Sequence, residues 1–347
     1  MPNYVKNKIN FNGSDKDIKE LLERIKSDEL GLGTIDFQKV IPMPEDLMIE
    51  SGSRTTNGLK MVDSYIKENN LRGLLSKATA DELKTELDKH TSELPDDEQS
   101  TWEIGVKSAA NILKYGYPNW YDWSCDNWGT KWNACGYSEG VDYADNEYLE
   151  FDTAWSAPVP VIAKLSEMFP KIEFLHKWAD EDFGQNVGVL TYSDGEISDY
   201  TPSSHKECLE LASEVWEYDL TEFGYRLNQS GDDYVYTDGD DYELVELLGQ
   251  KALFTNERVN DSEVPEGLYL YHIRMTDDGE QFGSLEPSVA VNHGGSILAK
   301  EPIDLGELGF IEFNEHISPN FLGQDMTMGE FLDSEFLQNE EIGQTMV

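Results

Sequence analysis

Near residue 200 the chain changes character in two ways at once, and this step constrains its folding more than any single motif. Upstream, strand-like runs alternate with amphipathic helical ones, whereas downstream short strands and turns follow one another closely. The charge steps at the same place. Residues 1–199 hold 37 Asp and Glu against 20 Lys and Arg, and residues 200–347 hold 32 against 6. The two net values, −17 and −26, sum to −43. A stretch so short of cations must carry its carboxylates as an acidic skin over an apolar core. The 347 residues fit two domains of about 150 each, and the step sets their expected limits at 1–199 and 200–347.

Asn3 to Asn12 alternates like a strand, and Ser14-Asp-Lys-Asp17 opens a helix whose Ile18, Leu21, Leu22 and Ile25 share one face. Gly31 and Gly33 end that helix, and Thr34 to Ile41 reads as a second strand. Residues from about 45 to 115 form a helical insertion, with a capping box at Thr79-Ala-Asp-Glu82. Strands are expected at Thr130–Tyr137, Tyr148–Trp155, Lys171–Trp178 and Asn186–Tyr192, with a helix after Pro158 and a turn at Ser193-Asp-Gly195. The second domain opens on a helix, Ser203 to Tyr218. It continues with short strands at Tyr234–Thr237, Leu268–Met275, Ser288–Asn292, Ser296–Lys300 and Phe310–Phe313, a hairpin turn at Asp277-Asp-Gly279, and a closing helix over Thr327–Leu337. The whole is α+β.

Four segments taken together resemble a known family. Asn-Lys-Ile-Asn-Phe-Asn-Gly (7–13), Ile-Asp-Phe-Gln-Lys-Val-Ile-Pro-Met-Pro (35–44), Asn-Trp-Gly-Thr-Lys-Trp-Asn-Ala (127–134) and Ala-Asp-Glu-Asp-Phe-Gly (179–184) are similar to the YubB-type ferredoxin-like domain of plasmid and phage proteins. The tail from Leu268 to Phe336 resembles an accessory domain attached to large polyvalent proteins of mobile elements. It does so through Tyr-Leu-Tyr-His-Ile-Arg (269–274), Glu-Pro-Ser-Val-Ala-Val-Asn-His-Gly-Gly (286–295) and Ser-Pro-Asn-Phe-Leu-Gly (318–323). The resemblance implies a ferredoxin-like sandwich with a helical insertion, followed by a smaller acidic mainly-β domain. It also implies a mobile-element origin and a bacterial cytoplasm. It implies no chemistry, and "ferredoxin-like" here describes topology and not a cluster.

Cys125, Cys135 and Cys208 cannot all pair and form no C-x-x-C motif, which suits three reduced thiols in a cytoplasmic protein. The most apolar run, Ala157 to Leu165, is too short to span a bilayer, so no membrane partner is expected. Phosphate-loop, dinucleotide and nucleophile-elbow motifs are absent. Neither a catalytic residue, a metal nor a cofactor is expected, and the oligomeric state is left open.

Three groups of residues draw attention. Trp128, Lys131, Trp132 and Asn133 would, on a strand, put both indoles on one face as a stacking or peptide-binding platform; the alternative is core packing. Asp180, Glu181 and Asp182 end a strand and could face a cation or a basic partner, or form a solvated turn. Glu207, Glu210, Glu214 and Glu217 on one helix, with Asp232, Asp233, Asp238, Asp240 and Asp241 beyond it, offer an acidic surface. Asn292-His-Gly-Gly295 reads as a tight turn.

The charge argues against direct nucleic-acid binding and for a basic partner. Closely spaced carboxylates can imitate a phosphate backbone in a Lys/Arg-lined cleft. The expected function is therefore an acidic binding protein that occupies a host nucleic-acid-handling protein, such as a restriction or CRISPR-type defence complex. The alternatives are an accessory interaction protein and a regulatory nucleic-acid-binding module using Tyr4, Lys6 and Lys8.

Overall fold

Alternating burial draws the start of the chain into strand β1 (Tyr4–Asn12), with Val5, Asn7 and Ile9 turned inward. The computed structural model describes residues 3–71, 78–137, 148–200, 202–247, 249–255, 257–274, 288–290, 295–303 and 321–335. They fall into two compact units, Met1–Ser203 with Glu214–Trp216, and Ser204–Ser213 with Glu217–Val347.

In the first unit, β1 leads to α1 (Asp15–Ile25), whose N-cap Ser14 accepts a hydrogen bond from the Asp17 N–H. The helices α2 (Ser53–Glu68), α3 (Ala80–Asp88), α4 (Asp96–Tyr115) and α5 (Trp120–Asn127) follow. Then come β2 (Tyr148–Ala154), α6 (Val159–Met168), β3 (Glu173–Asp180), β4 (Gly188–Ser193) and β5 (Glu196–Tyr200). The sheet has the order β2-β1-β3-β4-β5 and every neighbouring pair is antiparallel. Because β2 and β3 both run against β1 from opposite sides, β2-α6-β3 is a split β–α–β unit.

One face of this sheet packs against α1, α5 and α6 through Ile9, Leu22, Ile25, Trp123, Phe151, Ile162, Leu165 and Phe174. The helices α2, α3 and α4 enclose a separate core of Val62, Ile66, Leu83, Leu87, Trp102 and Val106. There α2 and α4 cross at Gly58 and Gly105, where a Cβ on either would overlap the other helix's backbone.

The second unit contains most of α7 (His205–Trp216), the ribbon β6 (Tyr225–Leu227) and β7 (Tyr234–Tyr236), and a six-stranded sheet. That sheet comprises β8 (Tyr242–Leu247), β9 (Gln250–Thr255), β10 (Tyr269–Arg274), β11 (Ser288–Ala290), β12 (Gly295–Ala299) and β13 (Phe321–Met326). Its order is β11-β10-β12-β9-β8-β13, and only the β10–β11 pair is parallel among the described residues. Val245, Ala252, Phe254, Ile297 and Ala299 are buried on one face. Leu244, Leu253 and Leu298 pack on the other with Met328 and Phe331 from α8 (Met328–Asp333). The chain is α+β, a ferredoxin-like unit with inserted helices followed by a smaller, acidic, mainly-β one.

Two expected strands are not strands. Over Thr34–Ile41 the chain makes a 3-10 turn at Phe37–Lys39, because Asp36 accepts the Gln38 N–H and Asn133 Oδ1 accepts the Phe37 N–H at 2.9 Å. Over Thr130–Tyr137 the backbone is irregular and meets the sheet in a single bridge, Cys135 to Asp152. In the other direction, β5, β6, β8, β9 and β13 are strands that the sequence pattern does not announce. The Asp277–Gly279 turn, the Phe310–Phe313 strand and most of the Asn292–Gly295 turn lie outside the described residues.

Candidate functional site

The tryptophan-rich motif divides by residue. Trp128 caps α5, is buried against Phe37 and Trp123, and donates its indole N–H to the Ile41 carbonyl at 2.9 Å. Gly129 (φ +77°) lies where a Cβ would meet Pro160 at 2.8 Å. The Thr130 hydroxyl donates to the Ala154 carbonyl at the end of β2, and Asn133 pins the 35–37 segment by accepting from Phe37 and donating to Asp36 at 2.7 Å. Trp128 and Asn133 thus tie this segment to the irregular 35–41 segment, and Thr130 ties it to the sheet. Trp128 and Trp132 therefore do not share a strand face.

Lys131 and Trp132 turn the other way. The Lys131 ammonium sits 4.6 Å from the centroids of both Trp132 and Trp155, and Tyr121 meets Trp155 edge-on. Trp155 is 41% exposed at φ +74°, a backbone region that a bulky side chain enters only at a cost of roughly 1–3 kcal/mol. Its N–H donates to the Asn3 carbonyl and its carbonyl accepts from Asn186 Nδ2, each at 2.9 Å. Asn186 is itself at φ +43°.

Both asparagines are gathered by Asp180, whose carboxylate accepts from Asn3 at 3.3 Å, Asn186 at 3.2 Å and the Asp182 N–H at 2.9 Å. Asp180 is buried, so of the acidic trio only Glu181 and Asp182 face solvent. Sequence reasoning misses Trp155, because nothing local marks a tryptophan for the left-handed region. No group of three or more His, Cys, Asp or Glu among the described residues is arranged to hold a metal ion. Burial raises all three thiols, so the cysteines are poor nucleophiles.

The outer face of the first sheet is not a free basic surface. Lys6 pairs with Glu150 at 2.6 Å and lies over Trp216, Lys8 approaches Glu150 at 3.6 Å, and Lys177 pairs with Glu214.

The acidic residues singled out beyond 200 separate likewise. Glu217 is not on the α7 face, since it ends the helix in the left-handed conformation at φ +59°. Glu207 is half-buried in the first turn of α7, Glu210 is exposed, and Glu214 is held by Lys177. Asp233 pairs with His205 at 2.9 Å. Asp232 is exposed but tied into its own turn, where the Ser230 hydroxyl and Asn228 amide hold its carboxyl below the usual range. Asp238 packs against Gly224 and Gly329.

Asp240 and Asp241 instead border an open cleft of about 440 Å³ with Glu243, Glu257 and Glu263, where Arg258 is the one lining cation among the described residues. Glu243 lies directly opposite Asp325 across the β8–β13 pair, both exposed. The Tyr242 hydroxyl beside them is raised by burial and then by Asp240, Glu263 and Glu257. Glu257 and Glu263 come from a segment pinned by Ser296, whose hydroxyl donates to the Glu257 carbonyl and accepts the Val259 N–H, each at 2.9 Å. No sequence spacing joins them to Asp240.

No helix among the described residues is long and apolar enough to cross a membrane. Residues 127–219 match the family model described as the ferredoxin-like domain in Api92-like protein, and residues 238–333 match large polyvalent protein associated domain 28. No curated protein matches the chain. Among solved structures, protein api92 from Yersinia pseudotuberculosis is 11% identical, with 59% of this chain and 100% of that one covered at a TM-score of 0.26. The chain is thus similar to a ferredoxin-like domain over its tryptophan motif and strands β2 to β5, and to a polyvalent-protein domain over the acidic cleft.

Proposed function

We propose that this chain is an acidic binding protein of a mobile genetic element, with a YubB-type first unit, acting in the bacterial cytoplasm. In this reading its carboxylates take the place of nucleic acid on a basic host protein, such as a restriction or CRISPR-type defence complex. The observation that carries it is the Glu243–Asp325 pair at the rim of the carboxylate-lined cleft. Like charges directly opposite in a sheet destabilise it. Two carboxylates retained in that register make sense where a cationic surface neutralises them from outside. The pairing of Lys6, Lys8 and Lys177 with carboxylates weighs against the alternative of direct nucleic-acid binding through the first sheet.

The test uses purified restriction and CRISPR effector complexes carrying fluorescently labelled DNA. Addition of the chain should displace the DNA, less effectively as salt rises. Glu243→Gln with Asp325→Asn should weaken displacement while slightly raising the melting temperature. Absence of displacement from every complex, displacement indifferent to both substitutions, or binding of DNA by the chain itself would each defeat the reading.

A further inference from the structure

The edge strand β5 offers a second, separate surface in the first unit. All five of its residues, Glu196 to Tyr200, are exposed, with Ile197 at 47% and Tyr200 at 61%. Its pairing with β4 runs from Ser193↔Glu196 to Val189↔Tyr200 around the two-residue turn Asp194-Gly195, with φ of +50° and +79°. In such a hairpin Ser193 and Glu196 exchange ladder bonds, as do Thr191 and Ser198, so the N–H and C=O of Ile197 point away from β4. The turn is anchored, because the Gly195 N–H donates to Ser166 Oγ on α6 at 3.0 Å and Glu167 packs beneath Gly195.

Edges of this kind are usually covered, bulged or guarded by lysine. On the second sheet, β13 carries a register shift between Phe321 and Asp325. No such irregularity interrupts β5, and no Lys or Arg occurs between Lys177 and Lys206, a span holding Asp180, Glu181, Asp182, Asp194, Glu196 and Asp199.

We propose that β5 docks an extended, lysine- or arginine-bearing segment of a partner protein as a sixth strand of the first sheet. Backbone bonds at Ile197 would set its register, and the carboxylates of the hairpin would select its charge. Charge decides against a second copy of this chain, since two molecules of net charge −43 would bring like charges together.

The experiment titrates the full chain with a short peptide alternating lysine and valine, followed by calorimetry and amide exchange. Binding should protect the Ile197 amide, and Ile197→Pro should weaken binding by about tenfold or more. Proline is tolerated where an edge N–H faces solvent, so the fold should persist. If Ile197→Pro unfolds the hairpin, exchange in the unsubstituted chain still decides. No binding, binding without protection at Ile197, or equal affinity in Ile197→Pro overturns the proposal. Glu243→Gln with Asp325→Asn should leave protection at Ile197 unchanged, which separates this surface from the cleft.

Discussion

A half-buried aspartate and a fully buried histidine of the first sheet pull the pH dependence in opposite directions. Asp152 on β2 is pushed up to about 6 by burial, partly offset by Lys6 and reinforced by Glu150 and Glu181. An unfolded aspartate titrates near 3.9, so between about pH 4 and 6 the folded state holds more protons and stability falls as pH rises. Asp152→Asn should therefore stabilise the protein by about 1–2 kcal/mol at pH 8 and have little effect near pH 4, as read by urea melts at the two pH values. His176 is fully buried and driven down to about 3, with its Nε2 facing Asn7 Oδ1 at 3.0 Å and its Nδ1 facing the Tyr192 hydroxyl at 3.3 Å. Its unfolded form takes a proton near 6.5, so the stability it confers is present above that pH and is lost towards pH 3. This shift is the larger of the two, and the protein should weaken in acid. His176→Gln, which retains a donor towards Asn7, should lower the pH midpoint of acid unfolding measured by circular dichroism.

Among the elements, the α2–α4 crossing sets helix propensity against packing. Alanine is favoured over glycine by about 1 kcal/mol inside a helix, but overlap at a tight backbone contact costs typically about 1–3 kcal/mol and occasionally more. The Gly58 and Gly105 contact is backbone against backbone, so packing should win. Gly105→Ala is expected to lower the urea midpoint, and an increase would show that the helices separate readily. The 35–41 segment makes a similar case, because Asn133→Ala leaves the Phe37 N–H without its acceptor. That loss should cost about 1–3 kcal/mol, far more than an exposed asparagine-to-alanine change, and is measurable by the same denaturation.

For the whole molecule, a net charge of −43 makes electrostatic self-repulsion a global term. Moderate salt screens it, so the melting temperature of the free protein should rise between low and physiological ionic strength, as calorimetry would show. The same salt should loosen a basic partner. Opposite responses of fold and complex to one variable would mark charge as serving binding and not cohesion.

Signals confined to a few neighbouring residues are legible in the amino-acid sequence alone. The Ser14 and Thr79 caps, the single apolar face of α1 and the Asp194-Gly195 turn depend only on residues within a turn of one another. The change of rhythm near residue 200 likewise needs only composition. Segment 34–41 has strand-like composition, yet Asn133 and Trp128, nearly a hundred residues away, take its backbone groups into a turn. Asp180 reads like its neighbours and is buried because Asn3 and Asn186 arrive from two other segments. The cleft likewise needs β8, β9 and the 257–263 segment to converge. Hydrogen-bond partners and carboxylate neighbours distant in sequence are chosen by packing, and local propensity carries no record of that choice.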